Sequence, residues 1–290
     1  MFCNSILKIV MIDLHTHSSA SDGSFSPSAL IAEASRRKIS AIALTDHDTV
    51  DGLEEAALAA REHGIRFIPG VELQIVWNGD SGGEFHLLGL GMEKLSPAFL
   101  GAVEELSLRR EERNLEIVGL MNNAGIAVSY DEIKNLGGGR SIGRPHFAAF
   151  LTERKIVRNR EQAFARYLAR GRPFYKPKAG LEFERAVEAI HGSGGIAVLA
   201  HPMSLYLAWG RLPDFVNNLK ERGLDGIEAW HPTAKVSACK RLEELGKKLG
   251  LFIIAGSDFH GEARPDRKLG ITAGGKKMDE SILEAIPALR

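Results

Sequence analysis

The residues best suited to chemistry are histidines and carboxylates that recur where apolar runs give way to polar residues. Met11-Ile12-Asp13-Leu14-His15-Thr16-His17-Ser18 reads as a strand. Side chains alternate along a strand, so His15 and His17 share a face at its end with Asp13 aligned behind them. That arrangement suits metal ligation. The same syntax returns at Thr45-Asp46-His47-Asp48, at Val71-Glu72, at Ala200-His201-Pro202 and at Ser257-Asp258-Phe259-His260, with Asp22 and His86 at further candidate positions. Each residue alone reads more readily as solvated or structural. Together, His15, His17, Asp22, His47, Glu72, His86, His201, Asp258 and His260 form an imidazole and carboxylate set matching zinc, manganese or iron.

Elements that could position these residues follow from hydrophobic periodicity. Strands are expected at Ile39 to Leu44, Ile65 to Val71, Leu73 to Trp77, Glu84 to Leu90, Ile196 to Ala200, Gly226 to Ala229 and Leu251 to Ala255. Helices are expected over Ser28 to Lys38, Asp51 to His63, Glu182 to His191, Pro213 to Arg222 and Val236 to Leu249. Alternating strands and helices imply a parallel sheet with right-handed crossovers. Ligands at strand end after strand end favour an α/β barrel over a doubly wound sheet, whose first turn would carry a glycine-rich phosphate loop. From Ser96 the texture changes: a long helical stretch Pro97 to Asn123, a short helix from Tyr130, a Gly137-Gly138-Gly139 loop and further helices to about Leu168. This reads as a helical insertion, 96–179, within a discontinuous barrel domain of 1–95 and 180–290, with Asn78 to Gly83 as a turn between strands.

Composition is that of a soluble globular chain, 44% hydrophobic and 26% charged, with formal net charge zero. No global field draws it to nucleic acid or membrane. Cys3 and Cys239 form neither a disulfide framework nor a paired-cysteine metal site, so a reduced cytoplasmic setting is expected. Residues 1–12 read as a short leader running into the first core strand rather than a signal peptide, and no run is long enough to span a bilayer.

His15-x-His17, Asp22-Gly23, Thr45-Asp46-His47-Asp48, Gly70-Val71-Glu72, His86, Ala200-His201-Pro202 and Gly256-Ser257-Asp258-x-His260 resemble, in order, the motif series of the PHP (polymerase and histidinol phosphatase) family of metal-dependent phosphoesterases. The resemblance implies a distorted (β/α)7 TIM-like barrel holding two or three divalent ions (Mn2+, Zn2+ or Fe2+). It implies that His15, His17, Glu72 and Asp258 hold one ion, and that Glu72, His86 and His201 hold a second with Glu72 bridging. Asp22, His47 and His260 would hold a third. Asp22 stands where many members carry histidine, as in a subgroup acting on nucleotides, and favours a harder ion such as manganese. Glu72, His201 and Asp258 would thus sit at the reacting centre. Two ions a few ångströms apart lower the pKa of bridging water from 15.7 to roughly 7 and offset charge on phosphoryl oxygens. Asp13 and Asp46 either orient imidazoles or cap turns.

Between Arg140 and Lys178 eleven Arg or Lys residues face two acids, Glu153 and Glu161, leaving nine compensating negative charges on the rest of the neutral chain. A basic flap over a carboxylate-rich centre would steer an anion inward. Constrained turns at 141–146 and 171–177 could present Ser141, Arg144 and Lys176 to a phosphate. Similar arginine and lysine positions occur in the nucleotide-acting subgroup. His231, beside Trp230, either contacts substrate, protonates a leaving oxygen or is structural. Phe147, Tyr167, Phe174 and Tyr175 could stack on a base, although helical spacing favours a core role. The expected substrate is a phosphorylated small molecule, a nucleotide such as a nucleoside 3′,5′-bisphosphate, or a short oligonucleotide trimmed from its 5′ end. No obligate protein partner is implied. Histidinol phosphate hydrolysis is the alternative within the family, and a non-catalytic metal-binding module the alternative outside enzymology.

Overall fold

The computed structural model describes residues 11–77, 83–136, 142–177 and 180–289. Residues 1–10 of the expected leader, Cys3 among them, residues 78–82 of the expected turn, the whole Gly137-Gly138-Gly139 loop, Ser141 and Lys178 lie outside them. The first strand, β1, is short, Met11–Asp13, and His15 and His17 follow it in irregular backbone. Helix α1, Pro27–Arg36, starts where Ser26 accepts a hydrogen bond from the Ala29 amide, and it buries Leu30, Ile31 and Ala34. Strand β2 spans Ile39–Leu44, and helix α2, Leu53–His63, stops at Gly64 with φ 62°. The two strands expected on either side of Glu72 are one, β3, Arg66–Gln74. A single buried carboxylate does not interrupt a strand whose backbone remains paired.

β4, His86–Leu90, corrects the all-parallel expectation, because it runs antiparallel to β3 and also to β5, Ile196–Leu199. Among the described residues no helix lies between β3 and β4, and β4 returns against the direction of β3. The sheet order is β1 through β7, with β6 at Gly226–Trp230 and β7 at Phe252–Ala255. A parallel bridge between Thr16 and Phe259 brings the two edges together, and the His17 amide donates to the Phe259 carbonyl at 2.9 Å. Nearly closing the sheet in this way removes most of its exposed edge.

Helices α7 (Phe183–His191), α8 (Leu212–Glu221) and α9 (Val236–Leu249) pack outside the later strands. Between β4 and α7 lie α3 (Pro97–Asn123), α4 (Tyr130–Leu136), α5 (Arg144–Glu153) and α6 (Arg160–Ala163), the last continuing as a π-helical turn over Phe164–Leu168. α3 serves two cores. Phe99, Ala102 and Leu106 pack in the barrel core, whereas Ile117 and Met121 join a separate cluster with Ile133, Phe147, Phe150, Leu151 and Phe174. Phe147 and Phe174 are therefore packing residues, and Tyr167 lies against the same cluster. Truncating fully buried Phe147 to alanine is expected to cost about 3–5 kcal/mol of unfolding free energy, read from urea denaturation.

Candidate metal centre

Glu72, on β3 and fully buried, is the hub of the site. Oε1 lies 2.7 Å from His86 Nδ1 and 2.7 Å from His201 Nε2. Oε2 lies 3.0 Å from His47 Nδ1 and 3.3 Å from Nε2 of both His15 and His17. Those five imidazoles come from four segments of chain. His15 and His17 follow β1, His47 follows β2 and His201 follows β5, but His86 opens β4 rather than ending it. Because β4 is antiparallel, its N-terminal end is the end at the mouth, which corrects the expectation that all ligands end strands.

Asp258 and His260, after β7, complete the ring. Asp258 Oδ1 lies 3.3 Å from His17 Nε2, 3.7 Å from His15 Nε2 and 3.4 Å from His260 Nδ1. Asp22 Oδ1 lies 3.0 Å from His260 Nε2 and 3.8 Å from His47 Nε2. Donor atoms within 4.8 Å of one another fall into four overlapping groups: His17, Asp22, His47 and His260; His15, Glu72 and His201; His15, His17 and Asp258; and His47, Glu72 and His86. All nine residues singled out in the sequence thus meet in one place.

This donor set fits divalent ions by two observations. Asp22 Oδ1 and His260 Nε2 are buried and close, yet among the described residues neither makes a hydrogen bond of acceptable geometry, nor does buried His17 Nδ1. In addition, Nε2 of His15 and of His17 approach within 3.1 Å, an arrangement that common ligation of a cation explains. Burial opposes ionisation of Glu72, but His47, His86 and His15 outweigh it and hold the carboxyl well below the usual range. Asp258 and Asp22 are lowered against burial in the same way, chiefly by His260. Burial pushes the imidazoles of His47, His231 and His260 down, leaving them readier to offer a lone pair.

Asp13 and Asp46 cap backbone instead of orienting rings. Asp13 accepts from the amides of His15, Ser257 and Gly270, and burial raises its pKa to about 6. Asp46 accepts from the Ser18 amide and from the hydroxyls of Ser18 and Ser21. Behind the nine candidate ligands, Glu228 on β6 does reach a ring nitrogen, 3.0 Å from His15 Nδ1. Its sequence signal was a lone charge inside an otherwise apolar strand.

A cavity of about 600 Å³ opens over the cluster, and Arg110, Arg113, Arg144, Arg160, Arg264 and Arg267 line it. Four of the six lie outside the 140–178 segment. Arg264 and Arg267 reach Asp258 Oδ2 at 3.2 and 3.4 Å, and Arg110 pairs with Asp48 beside His47. Arg113 is nearly buried, its Nε makes no hydrogen bond, and burial with Arg110 and Arg144 nearby pushes its pKa down to about 9. Its Nη2 donates to Asn114 Oδ1 at 2.8 Å. Arg144 lines the cavity and bonds Glu84 at 3.0 Å. Lys176 does not line it: its Nζ pairs with Glu116 at 2.5 Å, because a nearer carboxylate captures the ammonium. Ser141 lies outside the described residues. His231 lines the cavity, with Nδ1 2.6 Å from Thr233 Oγ1 and Nε2 3.2 Å from Asp258 Oδ2.

A near-closed seven-stranded barrel with a cluster of imidazoles and carboxylates at its mouth defines a metallohydrolase class of protein. Comparison with known proteins gives the family. The sequence profile of the PHP domain matches residues 13–185. A 5′-3′ exoribonuclease of Haemophilus influenzae is 36% identical over 248 residues, 86% of this chain and 89% of the relative. A 3′,5′-nucleoside bisphosphate phosphatase of Chromobacterium violaceum is 33% identical over 262 residues, covering 90% and 91%. A solved Chromobacterium violaceum structure described as an amidohydrolase with bound sulfate superposes with a TM-score of 0.84 at 30% identity, over 95% of this chain and 97% of its own. The chain belongs to the PHP family.

Chelation should therefore act on stability as well as activity. An ion bound at a hundredfold excess over Kd contributes about 2.7 kcal/mol. Stripping divalent ions with EDTA is expected to lower the melting temperature by about 5–10 °C, reversibly on adding the ion back. An unchanged melting curve would count against tight binding at this cluster.

Proposed function

We propose that this metal-dependent phosphoesterase hydrolyses the phosphomonoester of a nucleotide, such as a nucleoside 3′,5′-bisphosphate, or trims short RNA from its 5′ end. The observation that carries this reading is the meeting, in one cavity, of nine candidate metal ligands with six arginines. The names of the relatives above, an exoribonuclease and a nucleoside bisphosphate phosphatase, support the substrate class.

In this reading His15, His17, Glu72 and Asp258 hold one ion, Glu72, His86 and His201 a second, and Asp22, His47 and His260 a third, with manganese favoured at the last by its carboxylate. Bound ions supply Lewis acidity, lowering the pKa of water and offsetting phosphoryl charge. Arg144 and Arg113 bind and orient the anion from the insertion side, as bidentate donors do. Arg264 and Arg267 hold Asp258 Oδ2 from the barrel side and leave its Oδ1 facing His15 and His17. His231 Nδ1 is engaged by Thr233 and Nε2 faces Asp258 Oδ2, so a leaving oxygen meeting this ring at Nε2 replaces the Asp258 contact. The barrel domain is assigned to 1–95 and 180–290 and the insertion to 96–179, with α3 crossing between their cores.

The test is phosphate or mononucleotide release from nucleotide mono- and bisphosphates and short 5′-phosphorylated RNA, in defined metals. No release from any phosphate ester would reject the proposal. His17→Ala and Asp258→Asn are expected to abolish turnover together with metal content, measured by elemental analysis. Arg144→Ala is expected to raise KM about tenfold or more with little change in kcat, in line with a charged hydrogen bond worth about 1.5–3 kcal/mol. If steady-state kinetics show both constants unchanged, Arg144 does not bind substrate.

A further inference from the structure

We infer that Glu228 is a positioning residue that sets two metal ligands at once, fixing the ring of His15 through one carboxylate oxygen and the backbone of His201 through the other. The inference rests on the metal-ligand reading above.

Glu228 is fully buried on β6, in the run Gly226-Ile227-Glu228-Ala229-Trp230 where every other residue is apolar or glycine. A carboxylate in such a place costs stability unless its oxygens are matched. Oε1 lies 3.0 Å from His15 Nδ1, and Oε2 accepts a hydrogen bond of 2.6 Å from the His201 amide. A carboxylate oxygen accepts, so the ring nitrogen of His15 that faces it, Nδ1, is the one that carries a proton. Nε2 is then the lone-pair nitrogen, and Nε2 is the atom that faces Glu72, His17 and Asp258.

The second contact acts on a different problem. His201 has φ 25°, a left-handed conformation unfavourable for any residue but glycine. That conformation is what turns its ring back to place Nε2 2.7 Å from Glu72, while Nδ1 lies 2.7 Å from Ser204 Oγ. The charged acceptor at the His201 amide holds the backbone there. His15, Glu72 and His201 form one of the compact donor groups, so Glu228 braces two of its three members. Gly256 makes room for this: a Cβ there would collide with the His15 Cβ and come within 2.6 Å of Glu228 Oε1.

Glu228→Gln preserves shape but offers one acceptor oxygen where two are needed. Its NH2 must face either the His201 amide or His15 Nδ1. In the second case the His15 proton moves to Nε2 and blocks the ligand atom. The expected result is manganese binding weakened about 10- to 100-fold in chelator competition, with altered visible bands in the cobalt-substituted protein. Glu228→Asp, one methylene shorter, should recover part of that loss. A Glu228→Gln protein that melts lower without metal yet binds manganese as tightly as wild type would make the carboxylate purely structural and overturn the inference. Nitrogen NMR of the zinc-loaded wild type gives a reading that needs no folded variant: protonated Nδ1 at His15 is expected, and protonated Nε2 overturns it. Wild-type protein that binds no divalent ion would instead overturn the metal-ligand reading beneath.

Discussion

One carboxylate surrounded by rings organises this protein. Glu72 has no exposure, and five imidazole nitrogens stand within 3.3 Å of its two oxygens. A buried charge of that kind needs compensation from every side. No single helix or hairpin can deliver it. Only a sheet curled nearly closed lets segments as far apart as residues 15 and 201 approach one point. The reversed direction of β4 is part of the same solution, since it turns the start of a strand toward the mouth and lets His86 take its place beside Glu72.

Charge is layered above that hub. Carboxylates and imidazoles lie at the barrel mouth, and arginines from two directions line the space over them. Arg264 and Arg267 come from the loop after β7, Arg110 and Arg113 from α3, and Arg144 and Arg160 from the shorter helices of the insertion. Arg160 also donates to the Ala263 carbonyl at 2.9 Å, joining the insertion to the far rim. The cavity thus has guanidinium groups and the ligand cluster in its walls together.

The ligand set was legible because metal chemistry restricts residue types so strongly that scattered histidines and carboxylates reveal a shared purpose. The alternation of strands and helices was legible because burial writes its period into the chain. Strand direction was not: periodicity is the same whichever way a strand runs, and β4 could be oriented only by its pairing with β3 and β5. Counting charges in one segment found the basic insertion but overstated its reach. Lys176 pairs with Glu116, and Arg154 with Glu132, partners that a composition count does not see. Conversely, Arg264 and Arg267 enter the cavity from a stretch of ordinary composition. Of the two roles open to Asp13 and Asp46 in the sequence, orienting imidazoles or capping turns, their contacts are with backbone amides and hydroxyls, whereas the carboxylate behind His15 is Glu228, 213 residues away.

Helix α3 carries a mechanical consequence. At 27 residues it is about 40 Å long, and its two halves are embedded in different hydrophobic clusters. A continuous rod whose halves are buried in both cores ties cap to barrel. Arg110 and Arg113, near its middle, therefore take their address over the ligand cluster from two hydrophobic cores at once.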